Sequence, residues 1–329
     1  MLSRRHIWLI VLSGLLLTVT ARSQSPRVVR ESYERGIERY AAGDFDGAIK
    51  EFSRAIEWNF QDTRSQRQRV RDGRLQLTEG PSSSNRIVLV DSLTARAYCN
   101  RGLARYQKGD RSGAFSDFDM AISLNPGLVE PYNNRAMLRW AEGNYAGAIA
   151  DMDQVIRKNS KDDVAYHTRG NIRVDNNDLA GAFADYDRAI ALNPRRAEIY
   201  CDRAQARRLN NDLDGALADC DFAIKLEPKL ALAYYCRGVV RCAQNNVSGG
   251  IADFNRAIEL DPALAIAYGS RGLLRLYLGQ TAESEKDIAE CLRLNPDLKT
   301  QVEQIIETGK VNSTTPPQNQ TLVAPRSRP

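Results

Sequence analysis

The chain has 329 residues, 43% hydrophobic and 26% charged, a balance ordinary for a soluble globular protein. Its formal charge of +5 falls to +2 once Arg4, Arg5 and Arg22 are set aside, which gives little reason to expect a nucleic-acid partner. Two histidines and six scattered cysteines leave little for a catalytic triad or a His/Cys zinc site.

Residues 1–25 have the layout of a secretory signal peptide: Arg4, Arg5 and His6 are followed by an apolar run from Ile7 to Leu17. Small residues around Ala21 and Ser23 then offer a cleavage site. The run is shorter than the ~20 residues a membrane helix needs, so cleavage is favoured over an uncleaved anchor. No Cys follows the run, so lipoprotein attachment is not supported.

Residues 29–62 form a first repeat, whose columns become clear only against the later ones. Residues 63–94 interrupt the register and are expected to be an exposed insertion. Its first half holds Arg64, Arg67, Arg69, Arg71 and Arg74 and extends the preceding helix, as a solvated surface or else an anionic contact site. Residues 80–85 are expected to be mobile, and 87–90 to tuck back onto the array.

From 95 to 298 the sequence matches itself at an offset of 34, giving repeats 2–7. Tyr98, Tyr132, Tyr166, Tyr200, Tyr234 and Tyr268 mark one column; Gly102, Ala136, Gly170, Ala204, Gly238 and Gly272 mark another. Each unit reads as two helices, stopped in the middle by a pair such as Gly109-Asp110 and at the end by a pair such as Asn125-Pro126. A period of this size signals a stacked array, because one unit cannot bury its apolar face alone. Leu298, Val302, Ile305 and Ile306 then make one apolar stripe, so 297–309 is expected to be a capping helix. Residues 310–329 are polar, Pro-containing and aperiodic, and are expected to be a disordered tail.

The pattern of an aromatic, x3, Gly or Ala, then Ala, x3, Phe, x2, Ala and a closing Pro resembles the tetratricopeptide repeat (TPR) family. The resemblance implies an all-α, right-handed superhelical solenoid of stacked helix-turn-helix repeats. It also implies a peptide or protein partner held in a concave groove lined by the first helices. On that basis the groove residues are Asn100, Leu103 and Tyr106; Asn134, Met137 and Trp140; His167, Asn171 and Asp202; then Tyr235 and Tyr277. Trp140 and Tyr106 share a column and are expected to grip one ligand together. Members that clamp acidic chaperone tails use basic residues where this chain has Tyr33 and Ile37, which argues against that ligand.

The most regular polar feature is an arginine ladder. Arg101, Arg135, Arg169, Arg203, Arg237 and Arg271 form one column, and a second Arg column lies four residues on, on the same helical face. Asp117, Asp151, Asp185, Asp219 and Asp253 supply matching acid from the second helices. The matched charges point to a structural scaffold of bidentate pairs, in preference to a basic stripe for an anion. Cys201 and Cys236 occupy nearly equivalent faces of successive first helices, so a bridge is conceivable if their Cβ atoms come close.

Together these features describe an exported, periplasmic or extracellular, non-enzymatic protein-binding scaffold with no metal or cofactor. Membrane contact is expected only if residues 1–25 stay attached. The rivals are a membrane-anchored envelope assembly factor and a non-catalytic subunit of an envelope enzyme.

Overall fold

The structure, a computed structural model, describes residues 24–71, 81–311 and Leu322. The signal-peptide expectation therefore lies outside the described residues, apart from Gln24 and Ser25, which open the first helix. Among the described residues there are fifteen α-helices and no strand, and no helix is long and apolar enough to cross a membrane.

The chain divides into two compact units that meet in sequence at Asn159–Ser160. The first holds α1 (Gln24–Ala41), α2 (Phe45–Arg71), α3 (Pro81–Gln107), α4 (Arg111–Leu124), α5 (Glu130–Ala141) and α6 (Tyr145–Lys158). The second holds α7 (Asp163–Asp175), α8 (Leu179–Leu192), α9 (Ala197–Leu209), α10 (Leu213–Leu226), α11 (Ala231–Ala243), α12 (Val247–Leu260), α13 (Ala265–Tyr277) and α14 (Thr281–Leu294). A single 3-10 turn, Pro296–Leu298, then leads into α15 (Lys299–Val311). Within each unit an odd-numbered helix packs on the even-numbered one that follows, and each pair packs on the next.

The turn inside each repeat follows one recipe. A residue with positive φ ends the first helix: Gly109, Gly143, Asn177, Asn211, Asn245 or Gly279, with φ from 60° to 85°. Gly suffers no Cβ clash there and Asn tolerates the left-handed region best of the rest. The next residue caps the second helix. Asp110, Asn144, Asp178, Asp212 and Asn246 each accept the backbone N–H three residues on.

Small residues on the first helix admit an aromatic ring from the second. A Cβ on residue 102 would stand 2.7 Å from a Phe118 ring carbon, and residue 238 faces Phe254 in the same way. Phe52, Phe118, Tyr186 and Phe254 are buried to 2% exposure or less, each stabilising its repeat by about 2 kcal/mol. Leu298 and Val302 of the closing turn and α15 join the cluster around Phe254 and Leu274, with Ile305 and Ile306 packed against it.

Two expectations differ from what the structure shows. Pro81–Asn85 was to be mobile, yet α3 begins at Pro81 and runs unbroken into repeat 2. Proline suits the first turn of a helix, where its missing N–H has no partner to lose. Residues 63–71 continue α2, in line with the expectation that the basic half of the insertion extends the preceding helix. At the other end the region 310–329 is not loose throughout: α15 extends to Val311, and Leu322 is fully buried in the cluster around Phe254. The physical reason is a vacancy in the first-helix seam that an apolar side chain can fill, described below. All six cysteines are free thiols.

Candidate functional site: the face of the first helices

Two seams converge on every first helix. The seam to the second helix of its own repeat holds the ladder. Asp151 accepts Arg135 Nε at 3.0 Å, Arg135 Nη2 at 2.5 Å and Arg139 Nη1 at 2.7 Å. Asp117, Asp185, Asp219, Asp253 and Asp287 each hold two arginines likewise. These carboxylates are nearly sealed from water, with side chains 2–6% exposed. The free arm of the first arginine reaches back to the preceding repeat: Arg135 to Asp119, Arg203 to Asp187 and Arg237 to Asp221. Arg101 reaches Ser53 and Arg271 reaches Asn255. Each stack is closed by an Arg resting on the Tyr three residues earlier, as Arg203 does on Tyr200 at 5.5 Å. The ladder's guanidinium charge is thus already engaged, and no stripe of basic charge is left for an anion.

Repeat 1 is a weaker version. Glu51 takes the place of Asp and accepts Arg35 at 3.1 Å and Arg54 at 2.8 Å, while Arg39 turns away to Asp44. The Arg35 side chain is 46% exposed, against 14–18% for its later counterparts.

The second seam joins successive first helices, and here the groove residues are found. In the first unit Asn100 Nδ2 donates to Tyr33 Oη at 3.0 Å, and Asn134 Nδ2 donates to Cys99 Sγ at 3.3 Å. Leu103 is buried beside them, and Tyr106 is half-buried against the same cluster. Met137 is half-buried as well. In the second unit His167 Nε2 lies 2.6 Å from Asp202 Oδ2, which also accepts Asn171 Nδ2 at 3.1 Å. Tyr186 Oη donates to Asn171 Oδ1 at 2.6 Å, completing a network of four side chains. Cys201 and Cys236 meet one seam position further on, and the hydrogen bond between them, together with burial, pushes the Cys201 thiol well above its usual range.

Trp140 departs from expectation. It is only 2% exposed, so it is an interior residue and not an open anchor. In its column Val174 and Cys242 are also buried, while Tyr106, Arg208 and Leu276 are half-buried, so this side of the first helix mostly packs inward. Tyr235 is likewise buried at 3%, whereas Tyr277, at 43% exposure, lies open.

A simple rule governs the seam, which the repeat columns contained but did not announce. The residue after the tyrosine column in one repeat meets the residue two after it in the next. This pairs Tyr33 with Asn100, Cys99 with Asn134, His167 with Asp202, Cys201 with Cys236 and Tyr235 with Ser270. The rule runs out at Gly269, which has no side chain to offer. Leu322 fills that place. Its N–H donates to Ser270 Oγ at 3.2 Å, and its carbonyl accepts the Tyr235 hydroxyl. Burial raises the Tyr235 phenol well above its usual range, so it stays a donor.

Among the described residues no cluster of His, Cys, Asp or Glu is placed to hold a metal ion. The arrangement can order a passing polypeptide: apolar walls, single polar groups and no repeated charge.

Such a molecule falls in the class of helical-repeat proteins. Residues 170–208 match a model described as TPR repeat, and residues 265–298 match one described as tetratricopeptide repeat. Proteins built of this repeat are generally protein-interaction scaffolds. Among solved structures, a tetratricopeptide repeat protein from Parabacteroides merdae superposes with a TM-score of 0.67 at 16% identity. The match covers 86% of this chain and 98% of that one. The C-terminal part of a TPR repeat-containing protein from Cytophaga hutchinsonii gives a TM-score of 0.50 at 16% identity, covering 71% and 84%. These likenesses show the fold. No curated protein matches the chain.

Proposed function

We propose that this protein is an exported, non-enzymatic scaffold that holds a peptide or protein partner on the face of its first helices. The observation that carries the reading is the capture of Leu322. Leu322, from outside the repeats, is held there by its N–H, its carbonyl and its side chain at once. Side chains that bind a backbone at both of its polar groups are the working parts of peptide recognition. The ladder supports the same reading by default, since its charges are satisfied within the array.

Export rests on the charged start, the apolar run and the small residues in 1–25. The reading is tested by cross-linking the tagged full chain in intact cells, fractionating the envelope, and identifying the captured protein by mass spectrometry. A defined partner, with a mature chain lacking its first ~20 residues, is the expected result. A cytosolic chain with Met1 intact, or hydrolytic turnover by the purified protein, would overturn it.

A further inference from the structure

The cysteines take no part in the function proposed above, yet three of the six thiols converge on one stretch of the seam. Cys201, on α9, is 1% exposed and packs with Tyr200, Ala223 and Ala233. Cys236, on α11, packs against that cluster and also against the one that holds Cys220, on α10. Cys236 is the half-buried member; the other two are sealed.

Position decides which two can join. Cys201 and Cys236 hold the places at which Cys99 Sγ meets Asn134 Nδ2 at 3.3 Å and His167 Nε2 meets Asp202 Oδ2 at 2.6 Å. These two places face each other across every seam pair described above. Here both hold thiols, in hydrogen-bond contact. Cys220 comes from the second helix of repeat 5 and lies outside that pairing. Two facing thiols can do what no other pair in the seam can: give up two protons and two electrons and become a covalent bond.

Exposure assigns the order of events. The half-buried Cys236 meets a dissolved oxidant first. Contact with Cys236 and burial keep Cys201 protonated at neutral pH, so it is a poor nucleophile until its partner has been activated.

We propose that Cys201 and Cys236 are an oxidisable pair, which a small disulfide such as glutathione disulfide converts to a bridge between repeats 5 and 6. Cys236 loses its proton, and its sulfur attacks one sulfur of the oxidant. That S–S bond breaks, and the departing glutathione thiolate takes the proton. Cys201 then loses its proton, and its sulfur attacks Cys236 Sγ in the mixed disulfide. The second glutathione leaves as a thiolate and takes that proton. The chain is oxidised by two electrons, and one glutathione disulfide is reduced to two thiols.

The new bond is about 2.05 Å long, shorter than a thiol–thiol contact, so it draws α9 and α11 together. Cys201 adjoins Asp202, which meets His167, and Cys236 adjoins Tyr235, which meets Ser270. The bridge therefore tightens the middle one of three consecutive seam pairs. Export would bring the chain among such oxidants, but the chemistry of the pair does not depend on it.

The test uses the purified full chain, first fully reduced and then held with glutathione disulfide at about pH 8, where exchange is fast. Iodoacetamide traps the remaining thiols, and a tryptic digest without reductant is read by mass spectrometry. The expected result is loss of two of the six thiols, with residues 197–203 joined to residues 230–237. Dithiothreitol restores all six. Cys201→Ala stalls at the first step, with glutathione on Cys236, and Cys220→Ala bridges like wild type. Circular dichroism checks that each variant is folded, and the wild-type digest needs no variant. Six intact thiols, a link through Cys220, or a 201–236 link that forms only in urea overturns the proposal. Every outcome is read on the isolated chain, so none bears on the scaffold reading, which stands or falls with the captured partner.

Discussion

Between a first helix and the second helix of its own repeat, the same three side chains recur from Arg101 to Asp287: arginine, aspartate, arginine. Between one first helix and the next, no two pairs are alike: Tyr–Asn, Cys–Asn, His–Asp, Cys–Cys, Tyr–Ser. Both seams are largely buried and both are hydrogen-bonded. The difference lies in what each column is free to do. A ladder position must satisfy a charge from its own repeat and one from its neighbour, so every repeat needs the same residue there. A seam position must only match one partner, so the pair can change without stranding a charge. Repetition marks what holds the array together, and variation marks where one repeat differs from another in what it presents.

The largest effect expected on that comparison comes from Trp140. As a seam-side core residue, Trp140→Ala leaves a cavity and should lower unfolding free energy by about 3–5 kcal/mol in urea titration. An unchanged midpoint would return Trp140 to the open face. Next comes the ladder. Arg169→Met strips two hydrogen bonds from buried Asp185 and should cost about 3 kcal/mol. Adding Asp185→Leu should recover only part of this, because Arg173 also bonds that carboxylate at 2.8 Å. Replacing all three with apolar residues should recover most of it, as an isosteric buried triad often does. In repeat 1, Arg35→Met should cost no more than about 1 kcal/mol, since Arg35 is 46% exposed and Glu51 keeps Arg54.

Alkaline pH separates the buried thiols from the ladder without mutation. Burial pushes the Cys99 and Cys242 thiols up to about 12 and Cys291 up to about 11, from an ordinary value of 9.0. A raised folded-state pKa means the stabilisation is complete below pH 9 and is lost as pH climbs toward 11 and 12. Each thiol should cost about 1.4 kcal/mol per pH unit over that window. In the ladder, hydrogen bonds from Arg237 to Asp253 hold that guanidinium above its ordinary value. Melting temperatures at pH 8 and 10.5 should fall more in wild type than in a Cys99→Ala, Cys242→Ala, Cys291→Ala variant. The smallest effect belongs to the open face: Tyr277→Ala should change stability by less than about 0.5 kcal/mol.

How much of this was legible follows from the same contrast. The tyrosine, small-residue and Arg–Asp columns repeat, so a single sequence shows them by self-comparison. The helix pairs and their left-handed stops at Gly109 or Asn177 follow directly. The face of Trp140 was not legible, because a helical column says which residues share a side but not which neighbour covers that side. Comparison with Val174 and Cys242 in the same column was the available signal. The helical start at Pro81 was masked by Ser82, Ser83 and Ser84, poor helix formers that read as a loop. Leu322 was hidden for another reason. One leucine in a polar stretch has no period, and only the missing side chain at Gly269, more than fifty positions away, explains its burial.

The backward-reaching arm of the ladder has a bearing on how such a chain can change in length. Arg203 reaches Asp187 as Arg237 reaches Asp221, each across one repeat boundary and no further. Excise residues 195–228, and Arg237 inherits Asp187 with the same spacing that Arg203 had. Duplicate them, and every new arginine finds an acid waiting. Between Asp187 and Arg237 the backward contacts survive insertion or loss of whole 34-residue blocks, because the spacing of arginine and acid is unchanged. Unequal recombination in register within such a gene thus keeps each backward contact of this kind.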